Sequence, residues 1–360
     1  MKNKSGIVLL TLLACLVMLE LGLRAIGRSP TNMADGIADQ YGDSFRLKKN
    51  ANKVMKFPAF SYTVHTNAFG FRDSAVGPRD LTGKKFCAFL GASDVFGNGV
   101  EFDDSFVGVF AAEASRRGLE VLNLAVGGHY FLDQEFLLKD FMKTSGLVPS
   151  SIFLCVNALH IPKFDRRNQH VIVKNGYAID REGWRVAYLR LMAGNISSTF
   201  CFFRDSVRRI QERYFQLEVG EKSPEFLQIY DKGNPIRQPE RTKGFEDYLT
   251  GFETFCRQNE IELVYVYLPL SDSFNLEEMI RKLGANPEDY DAAFYEDLMR
   301  SHCEKSGHRL IDPAQALGRL RAEGQVLRFK LDPHFNALAN KVIGEYLAAE
   351  FFRESSSPAF

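Results

Sequence analysis

Apolar positions along the chain fall into five short runs separated by longer mixed segments. The runs lie at Phe86–Leu90, Glu120–Val126, Ser151–Val156, Glu262–Leu270 and Arg309–Ile311. They show little alternation of apolar and polar residues, which is typical of strands buried on both faces of a parallel sheet. Intervening and following segments such as 131–142 and 337–352 are predicted helices. Short apolar strands that alternate with helices predict an α/β fold with a five-stranded parallel sheet and right-handed crossovers.

The start of the chain has a different pattern, an apolar run over about residues 6–23 that only Glu20 interrupts. About 18 residues at 1.5 Å each just reach across a hydrocarbon core of about 30 Å. The lysines in Met1–Lys4 favour a single-pass membrane anchor with the main domain outside the cytoplasm. Two alternatives stay open, a secretory signal cleaved near Ala25–Gly27 and a buried core helix.

The pattern divides the chain into an anchor or signal at 1–28, a linker at 29–59, a main domain at 60–352 and a tail at 353–360. The linker residues are polar and irregular, so no strand is expected there. Tyr62–Thr66 alternates in polarity and is predicted as an edge strand.

A segment at about 160–243 breaks the rhythm of strands and helices. Val171–Ile179 is predicted to form a hairpin because it has Asn-Gly at its centre, and a helix is expected at about Phe203–Gln216. We interpret the segment as an insertion over the carboxyl edge of the sheet, where it would form a lid or a substrate wall.

Composition excludes several function classes. The 45 basic and 45 acidic residues balance, which gives no indication of a nucleic-acid partner. Six cysteines without a CxxC pair argue against a zinc site or a redox pair. The chain has no Walker loop, GxGxxG motif or metal-ligand cluster, so we infer no cofactor and no metal.

Candidate chemistry follows four of the predicted elements. Ser93 comes directly after the first apolar strand, Gly127-Gly128 after the second and Asn157 after the third, and Asp332-Pro333-His334 precedes the last helix. The carboxyl ends of parallel strands are where α/β proteins place their sites. Acyl transfer to a serine needs a base, a carboxylate that orients the base, and donors for the oxyanion. All of these groups are present.

The order and spacing of these blocks resemble the SGNH (GDSL-type) hydrolase family over roughly residues 60–352. The matching residues are Gly91-Ala92-Ser93, Gly128 preceded by Asn123, Asn157, and Asp332-Pro333-His334 with Asn336. The stretch Asn67…Gly70-Phe71-Arg72 is similar to one that precedes the first block in membrane-anchored bacterial members.

The resemblance implies that Ser93 is the nucleophile, His334 the base and Asp332 its orienting carboxylate. The backbone amides of Ser93 and Gly128 and the side chain of Asn157 would form the oxyanion hole. The expected fold is a flavodoxin-like three-layer α/β/α sandwich with the N-terminal helix and the insertion added. The expected substrate is an ester-bearing small molecule, glycan or lipid. An O-acyltransferase for a cell-surface polysaccharide would use the same site.

Two departures from the family pattern leave a third hypothesis open. Ala92 and Ala158 stand where the family has aspartates that brace the catalytic loops, and Asp94 lies on the wrong side of Ser93 to replace the first simply. A degenerate member that binds a glycan or a partner protein without catalysis would also have these substitutions. His129 and His160 lie near the expected site, and we predict a structural or solvated role for each.

Overall fold

The five apolar runs form the centre of the molecule. The computed structural model describes residues 2–27, 30, 36–57, 60–215, 224–270, 276–282, 284–329 and 332–353. The strands are β1 Ala38–Tyr41, β2 Ser44–Leu47, β3 Asn52–Lys56, β4 Ser61–Thr66, β5 Arg72–Asp73, β6 Phe86–Leu90, β7 Glu120–Asn123, β8 Ser151–Val156, β9 Val171–Lys174, β10 Tyr177–Asp180, β11 Glu262–Tyr267, β12 Arg309–Ile311, β13 Arg328–Phe329 and β14 Asp332–Phe335.

Strands β7, β6, β8, β11 and β12 are neighbours in that order, and every pair among them is parallel. Numbered along the chain this is the order 2-1-3-4-5, which is the flavodoxin-like arrangement. The predicted five-stranded parallel sheet is confirmed. β7 and β11 are shorter than predicted, because they end at Asn123 and Tyr267.

The sheet does not stop at five strands. β5, β4 and β3 continue it beyond β7 as antiparallel strands, which makes an eight-stranded mixed sheet. Tyr62–Thr66 is therefore an internal strand, and β3 forms the edge. The expectation of an irregular linker at 29–59 was wrong, because β1, β2 and β3 lie within it. β3 buries only Met55, so its polar outer residues concealed the strand pattern.

The helices are α1 Lys2–Ala25, α2 Ser93–Phe96, α3 Phe106–Arg116, α4 Phe131–Ser145, α5 Trp184–Ile196, α6 Ser198–Phe215, α7 Pro224–Tyr230, α8 Pro239–Gln258, α9 Leu276–Lys282, α10 Phe294–Ser306, α11 Ala314–Ala322 and α12 Ala337–Arg353. Helices α3 and α4 lie on opposite faces of the parallel strands. On one face Phe89 of β6 packs against Phe110 of α3, and α3 packs on α12. On the other face Phe86 meets Phe141 of α4. The three-layer arrangement follows from this alternation of side chains along β6.

The insertion forms a separate layer of small elements. β9 and β10 pair as the predicted hairpin, with Asn175 and Gly176 both in the left-handed region at its turn. The predicted helix at 203–216 begins earlier, at Ser198. Residues 216–223 of the insertion and 354–360 of the tail lie outside the described residues.

Helix α1 projects from the body of the protein. Its segment Gly6–Ala25 is long and apolar enough to cross a membrane, and only 6% of it is buried against the rest of the chain. A core helix would be mostly buried, so that alternative is wrong. An anchor and a signal sequence both have the observed properties.

Candidate active site

The turn that carries Ser93 is a single helical turn placed directly after β6. Ser93 is the first residue of α2, and the helix ends at Gly97, which has a left-handed backbone with φ of 81°. At Gly91 a Cβ atom would lie 2.1 Å from Cγ2 of Val95, so only glycine allows the chain to fold back this closely. The sequence Gly91-Ala92-Ser93 thus produces a sharp strand-to-helix turn at the carboxyl end of a central strand.

A buried arginine holds the far side of this turn. The guanidinium of Arg72 donates from Nη1 to the carbonyl oxygens of Phe96 and Gly97, the latter at 2.6 Å, and from Nη2 to that of Val100 at 2.5 Å. Arg72 is 1% exposed, and burial lowers its pKa to about 10. Because one side chain of β5 donates to three carbonyl oxygens, the loop after α2 is held against β5.

Asn123 at the end of β7 fixes the near side of the turn. Its Nδ2 donates to the carbonyl of Val95 at 2.9 Å, while its Oδ1 accepts from the amide of Ala125 at 3.0 Å. A Cβ on Gly127 would lie 3.9 Å from the Cβ of Ser93, so the loop after β7 lies directly beside the serine.

Three hydrogen-bond donors follow three neighbouring strands. Ser93 follows β6, Gly128 follows β7 and Asn157 follows β8, and β6 lies between the other two. Among the described residues, the backbone N–H groups of Ser93 and Gly128 and the Nδ2 of Asn157 have no hydrogen-bond partner. Because β6, β7 and β8 are neighbouring parallel strands about 4.8 Å apart, the three donors lie at the same edge of the sheet as the Ser93 side chain.

The orientation of Asn157 follows from its own turn. Its Oδ1 accepts from the backbone amides of Leu159 and His160, both at 3.1 Å. The carbonyl oxygen of the side chain is thereby occupied, and the amide nitrogen is left for a ligand. Asn157 is 4% exposed, so its position in the core is fixed.

Gly128 is held from the other direction. Asn168 of the insertion donates from Nδ2 to the carbonyl of Gly128 at 2.9 Å and to Oδ2 of Asp133 at 3.0 Å. Asp133 is buried and also accepts from Oγ of Ser44 on β2 at 2.9 Å. The N-terminal strands and the insertion therefore support the loop that presents the Gly128 amide.

The predicted base and its carboxylate are in direct contact. Oδ1 of Asp332 lies 2.5 Å from Nδ1 of His334 and 3.0 Å from the backbone nitrogen of the same residue. Burial by itself would lower the pKa of His334, but the hydrogen bond to Asp332 and the negative charges of Asp94 and Asp332 raise it above 6.5. With Nδ1 bound to the carboxylate, Nε2 is the nitrogen that is left to exchange a proton.

A second contact connects His334 to the loop after α2. Nδ2 of Asn98 lies 3.1 Å from Nδ1 of His334, and the hydroxyl of Tyr62 on β4 donates to Oδ1 of Asn98. Because Nδ1–H of His334 is donated to Asp332, the Asn98 amide packs against the ring at this point and does not hydrogen-bond to it. The antiparallel extension of the sheet thus reaches the imidazole through one amide. Sequence reasoning missed both Tyr62 and Asn98.

Asp94 is an additional carboxylate at this edge. It is half-buried, and within the described ranges its carboxylate has no hydrogen-bond or ion-pair partner. Burial raises the pKa of Asp94, the charge of His334 opposes the rise, and Asp332 adds to it. Although Asp94 follows Ser93 rather than preceding it, its charge acts on the imidazole.

The remaining candidates have supporting positions. Ala92 and Ala158 are both buried, so no polar side chain braces the loops at these points. The ring of His129 is buried, with Nε2 2.9 Å from the carbonyl of Phe45. Burial lowers the pKa of His160 to about 4. These two histidines therefore do not act as charged groups beside Ser93 and His334.

The structure brings the four predicted blocks to one edge but does not join all of them. α2 packs against β14, which places Ser93 and His334 on facing elements. Within the part of the chain that the structure describes, however, neither Oγ of Ser93 nor Nε2 of His334 makes a hydrogen bond. Hydrogen bonds of this kind are often formed only in the substrate complex.

The described residues contain no group of three or more His, Cys, Asp or Glu side chains that could hold a metal ion.

Among the residues that support the site, Arg72 belongs to the stretch that resembles membrane-anchored family members, but its structural role was not predicted from the sequence. The signal for Asp133 and Asn168 is absent from the sequence, because these residues meet only through the folding of the insertion.

Comparisons with known proteins find similar solved structures but no matching family model or curated protein. No family model matches the chain, and no curated protein does. Similar solved structures include the acetyl xylan esterase AlAXEase, at 11% identity over 74% of this chain and 98% of that one with a TM-score of 0.40. The esterase EstA from Pseudoalteromonas sp. is 10% identical over 76% and 100% of the two chains, with a TM-score of 0.41. A variant of the acetylxylan esterase Axe2 from Geobacillus stearothermophilus is 11% identical over 77% and 95%, with a TM-score of 0.38. Similarity at this level carries no weight for the function of this chain.

Proposed function

We propose that this protein is a serine esterase of the SGNH type that is anchored in a membrane. The observation that carries the proposal is the Asp332–His334 pair on β14, packed against the turn that begins with Ser93. The three unpartnered donors that follow neighbouring strands at the same edge of the sheet are the second support. A carboxylate-bound imidazole, a serine at a strand end and convergent donors are the groups that acyl transfer needs.

The reaction follows from these positions. Nε2 of His334 takes the proton from Oγ of Ser93 as the oxygen attacks the ester carbonyl carbon. Negative charge then develops on the carbonyl oxygen, where the amides of Ser93 and Gly128 and Nδ2 of Asn157 donate to it. The tetrahedral intermediate collapses, the alcohol leaves with the proton from His334, and an acyl-serine remains. Water attacks this ester with His334 again as the base, and the acid is released.

The substrate class follows from where the enzyme would act. If α1 is an uncleaved anchor and the main domain lies outside the cytoplasm, the accessible esters are those of envelope glycans and lipids. O-acetyl groups on carbohydrate are the first candidates. A sugar hydroxyl in place of water at the acyl-serine step would make the same site an O-acyltransferase.

The unformed hydrogen bond between Ser93 and His334, together with Ala92 and Ala158, favours a second candidate, a binding protein that retains the fold without turnover. Such a protein would bind acetylated glycan at this edge and release no acetate from it.

A direct assay separates these functions. Full-length protein is incubated with a short-chain chromogenic ester, and separately with acetylated oligosaccharides in the presence of an unacetylated acceptor. We expect turnover that Ser93→Ala abolishes, while Ser115→Ala, on the exposed surface of α3, retains it. Free acetate identifies a hydrolase and acetylated acceptor a transferase. Equal turnover by Ser93→Ala would remove this serine from the reaction, and binding without turnover by the wild type would support the second candidate.

A further inference from the structure

The membrane helix is not simply a tether, because it is docked on the insertion. The carboxylate of Glu20 accepts from the amides of Ser198 and Thr199, at 2.9 and 2.8 Å, and from Oγ of Ser197 at 3.1 Å. These are the first residues of α6, so a negative charge lies at the amino end of an 18-residue helix. The one acidic residue within the apolar run therefore has a specific structural partner.

Two neighbouring residues of α1 complete the contact. Nη2 of Arg24 donates to the carbonyl of Ile196, the last residue of α5, at 2.7 Å. Leu23 is 6% exposed, while the earlier apolar side chains of α1 are open. The last two turns of α1 thus lie on the junction between α5 and α6. A signal sequence that is removed by cleavage would not need these contacts, so the docking favours an uncleaved anchor.

The length of the apolar segment fixes the depth of this junction. Twenty residues from Gly6 to Ala25 span about 30 Å, the thickness of a hydrocarbon core. If the span ended before Glu20, the segment 6–19 would cover only about 21 Å, which is too short. Glu20 therefore lies roughly 7 Å below the end of the span, and residues 197–199 must reach the same depth to bind it.

The surface of α5 and α6 is suited to that position. Val186, Leu189, Ile196, Phe203 and Val207, which we call the α5–α6 patch, are between 53% and 67% exposed. Leu189 and Ile196 are seven residues apart and lie on one face of α5, and Phe203 and Val207 are four apart on α6. Large apolar side chains that are this exposed and close together mark a surface that contacts another apolar phase.

The charge of the same helices complements a lipid headgroup layer. Residues 184–215 contain six arginines and two acidic residues, whereas the chain as a whole is neutral. Helices that combine arginines with an apolar face lie in the plane of a membrane interface. Anionic headgroups attract such segments by about 1 kcal/mol for each basic residue near the surface.

We infer that the α5–α6 patch is seated in the outer interface of the bilayer that α1 crosses. This inference rests on the membrane location of α1 and is independent of the esterase proposal. The main domain is then held at the membrane by two elements that are bonded to each other, so the insertion keeps a fixed orientation toward the lipid. The site would therefore act on esters that lie at or near the membrane surface.

Quenching of tryptophan fluorescence by brominated lipid tests this position. The chain has a single tryptophan, Trp184, so a Trp184→Phe background gives single-tryptophan proteins when one residue is replaced. Leu189→Trp and Phe203→Trp report on the patch, Leu13→Trp on the span, and Val148→Trp is the control, an exposed valine outside the insertion. After a thermal melt has shown that it is folded, each full-length variant is reconstituted in phosphatidylcholine–phosphatidylglycerol vesicles. Their acyl chains are brominated near the headgroup, to reach the patch, brominated near the chain end, to reach the middle of the span, or left unmodified.

We expect loss of emission in brominated vesicles for the variants at 13, 189 and 203, and unchanged emission for the variant at 148. Quenching at 13 without quenching at 189 and 203 would overturn the inference while retaining the anchor. The same conclusion would follow if 189 and 203 were shielded from an aqueous quencher but not reached by lipid, since another protein surface or a second copy would then cover the patch. An unquenched Leu13→Trp would reject the membrane location and the inference with it. Quenching does not depend on ester hydrolysis, so this experiment and the ester assay can fail independently.

Discussion

Oδ1 of Asp332 lies 2.5 Å from Nδ1 of His334, on a strand that packs against the turn containing Ser93. This pair fixes which imidazole nitrogen is left to take a proton. A hydrogen bond from Nδ1–H to the carboxylate leaves the lone pair on Nε2, and only that tautomer can act as a base toward Ser93.

Replacing the carboxylate by an amide tests this relationship. Asp332→Asn should lower kcat by about 10³–10⁴, because the amide can donate to Nδ1 and stabilise the wrong tautomer. The thermal unfolding midpoint should change little, since the side chain keeps its size. Asp104→Asn, at an exposed aspartate before α3, is the matched control. The role of the pair would be contradicted if Asp104→Asn lost as much activity as Asp332→Asn, or if Asp332→Asn lost no activity.

The pH dependence of kcat/KM reports on the same imidazole. The hydrogen bond to Asp332 and the negative charges of Asp94 and Asp332 raise the pKa of His334, and the reaction needs the neutral ring, so kcat/KM should fall as the pH drops through this raised pKa. Asp94→Asn removes one of the charges that raise this pKa, so the midpoint should move to lower pH. A midpoint that Asp94→Asn leaves in place would mean that another group controls the profile.

Asn157→Ala removes one of the three donors from the proposed oxyanion hole. Loss of one such donor lowers kcat by about 10²–10³, because the donor acts on charge that exists only in the transition state. Steady-state kinetics on the chromogenic ester separates kcat from KM. A change confined to KM would place Asn157 in substrate binding and remove it from the oxyanion hole.

Arg72→Met tests whether the buried guanidinium supports the loop after α2. The substitution leaves the carbonyls of Phe96 and Val100 without a donor and that of Gly97 with only the amide of Val100, at a cost of about 1–3 kcal/mol for each group that is left unsatisfied. Denaturant unfolding should show the lower stability, and kcat should fall in the fraction that remains folded. Arg72→Lys should restore only part of either quantity, since an ammonium cannot reproduce the planar fork. Full recovery with lysine would indicate that charge alone matters.

The docking of α1 makes its own prediction. Glu20→Leu removes the acceptor for the amides of Ser198 and Thr199, so hydrogen exchange at the start of α6 should accelerate in protein held in nanodiscs. Thr11→Val changes a residue on the open face of α1 that bonds only to the carbonyl of its own helix, and it should leave this exchange unaltered. Equal exchange in Glu20→Leu and wild type would show that the contact does not hold α6.

The buried strands could be predicted because each is a continuous apolar run with a sharp end. Phe86–Leu90 is buried at every position, and such a run cannot be mistaken for a surface segment. The alternation of strands and helices predicted a parallel sheet with right-handed crossovers, and the flavodoxin-like order was expected from the family resemblance. Ser93, Gly128 and Asn157 could be placed at one edge for the same reason.

The N-terminal strands escaped prediction because their pattern is weak. β3 has polar residues on its open face and one buried side chain, which is also what a polar linker looks like. The support of the site by Arg72, Asn98 and Asp133 could not be predicted either. These residues are far from their partners in the chain, and their roles depend on the antiparallel extension and the insertion, which the pattern of apolar residues does not fix.

The contact between α1 and the insertion could not be predicted from the sequence for the same reason. Glu20 was visible as the one break in an apolar run, but its partners are more than 170 residues away. No local pattern connects the two segments. Only the fold shows that the charged residue is bonded to α6 and does not face lipid unpaired.

The central claim, that Ser93 is activated by the His334–Asp332 pair, is tested most directly by covalent labelling. A fluorophosphonate reacts with an activated serine as the oxygen displaces fluoride from phosphorus, and peptide mass spectrometry locates the adduct. We expect one adduct, on Ser93, that is lost in His334→Ala and strongly reduced in Asp332→Asn. Folded wild-type protein that stays unlabelled at Ser93, or labels equally well without His334, would contradict the claim.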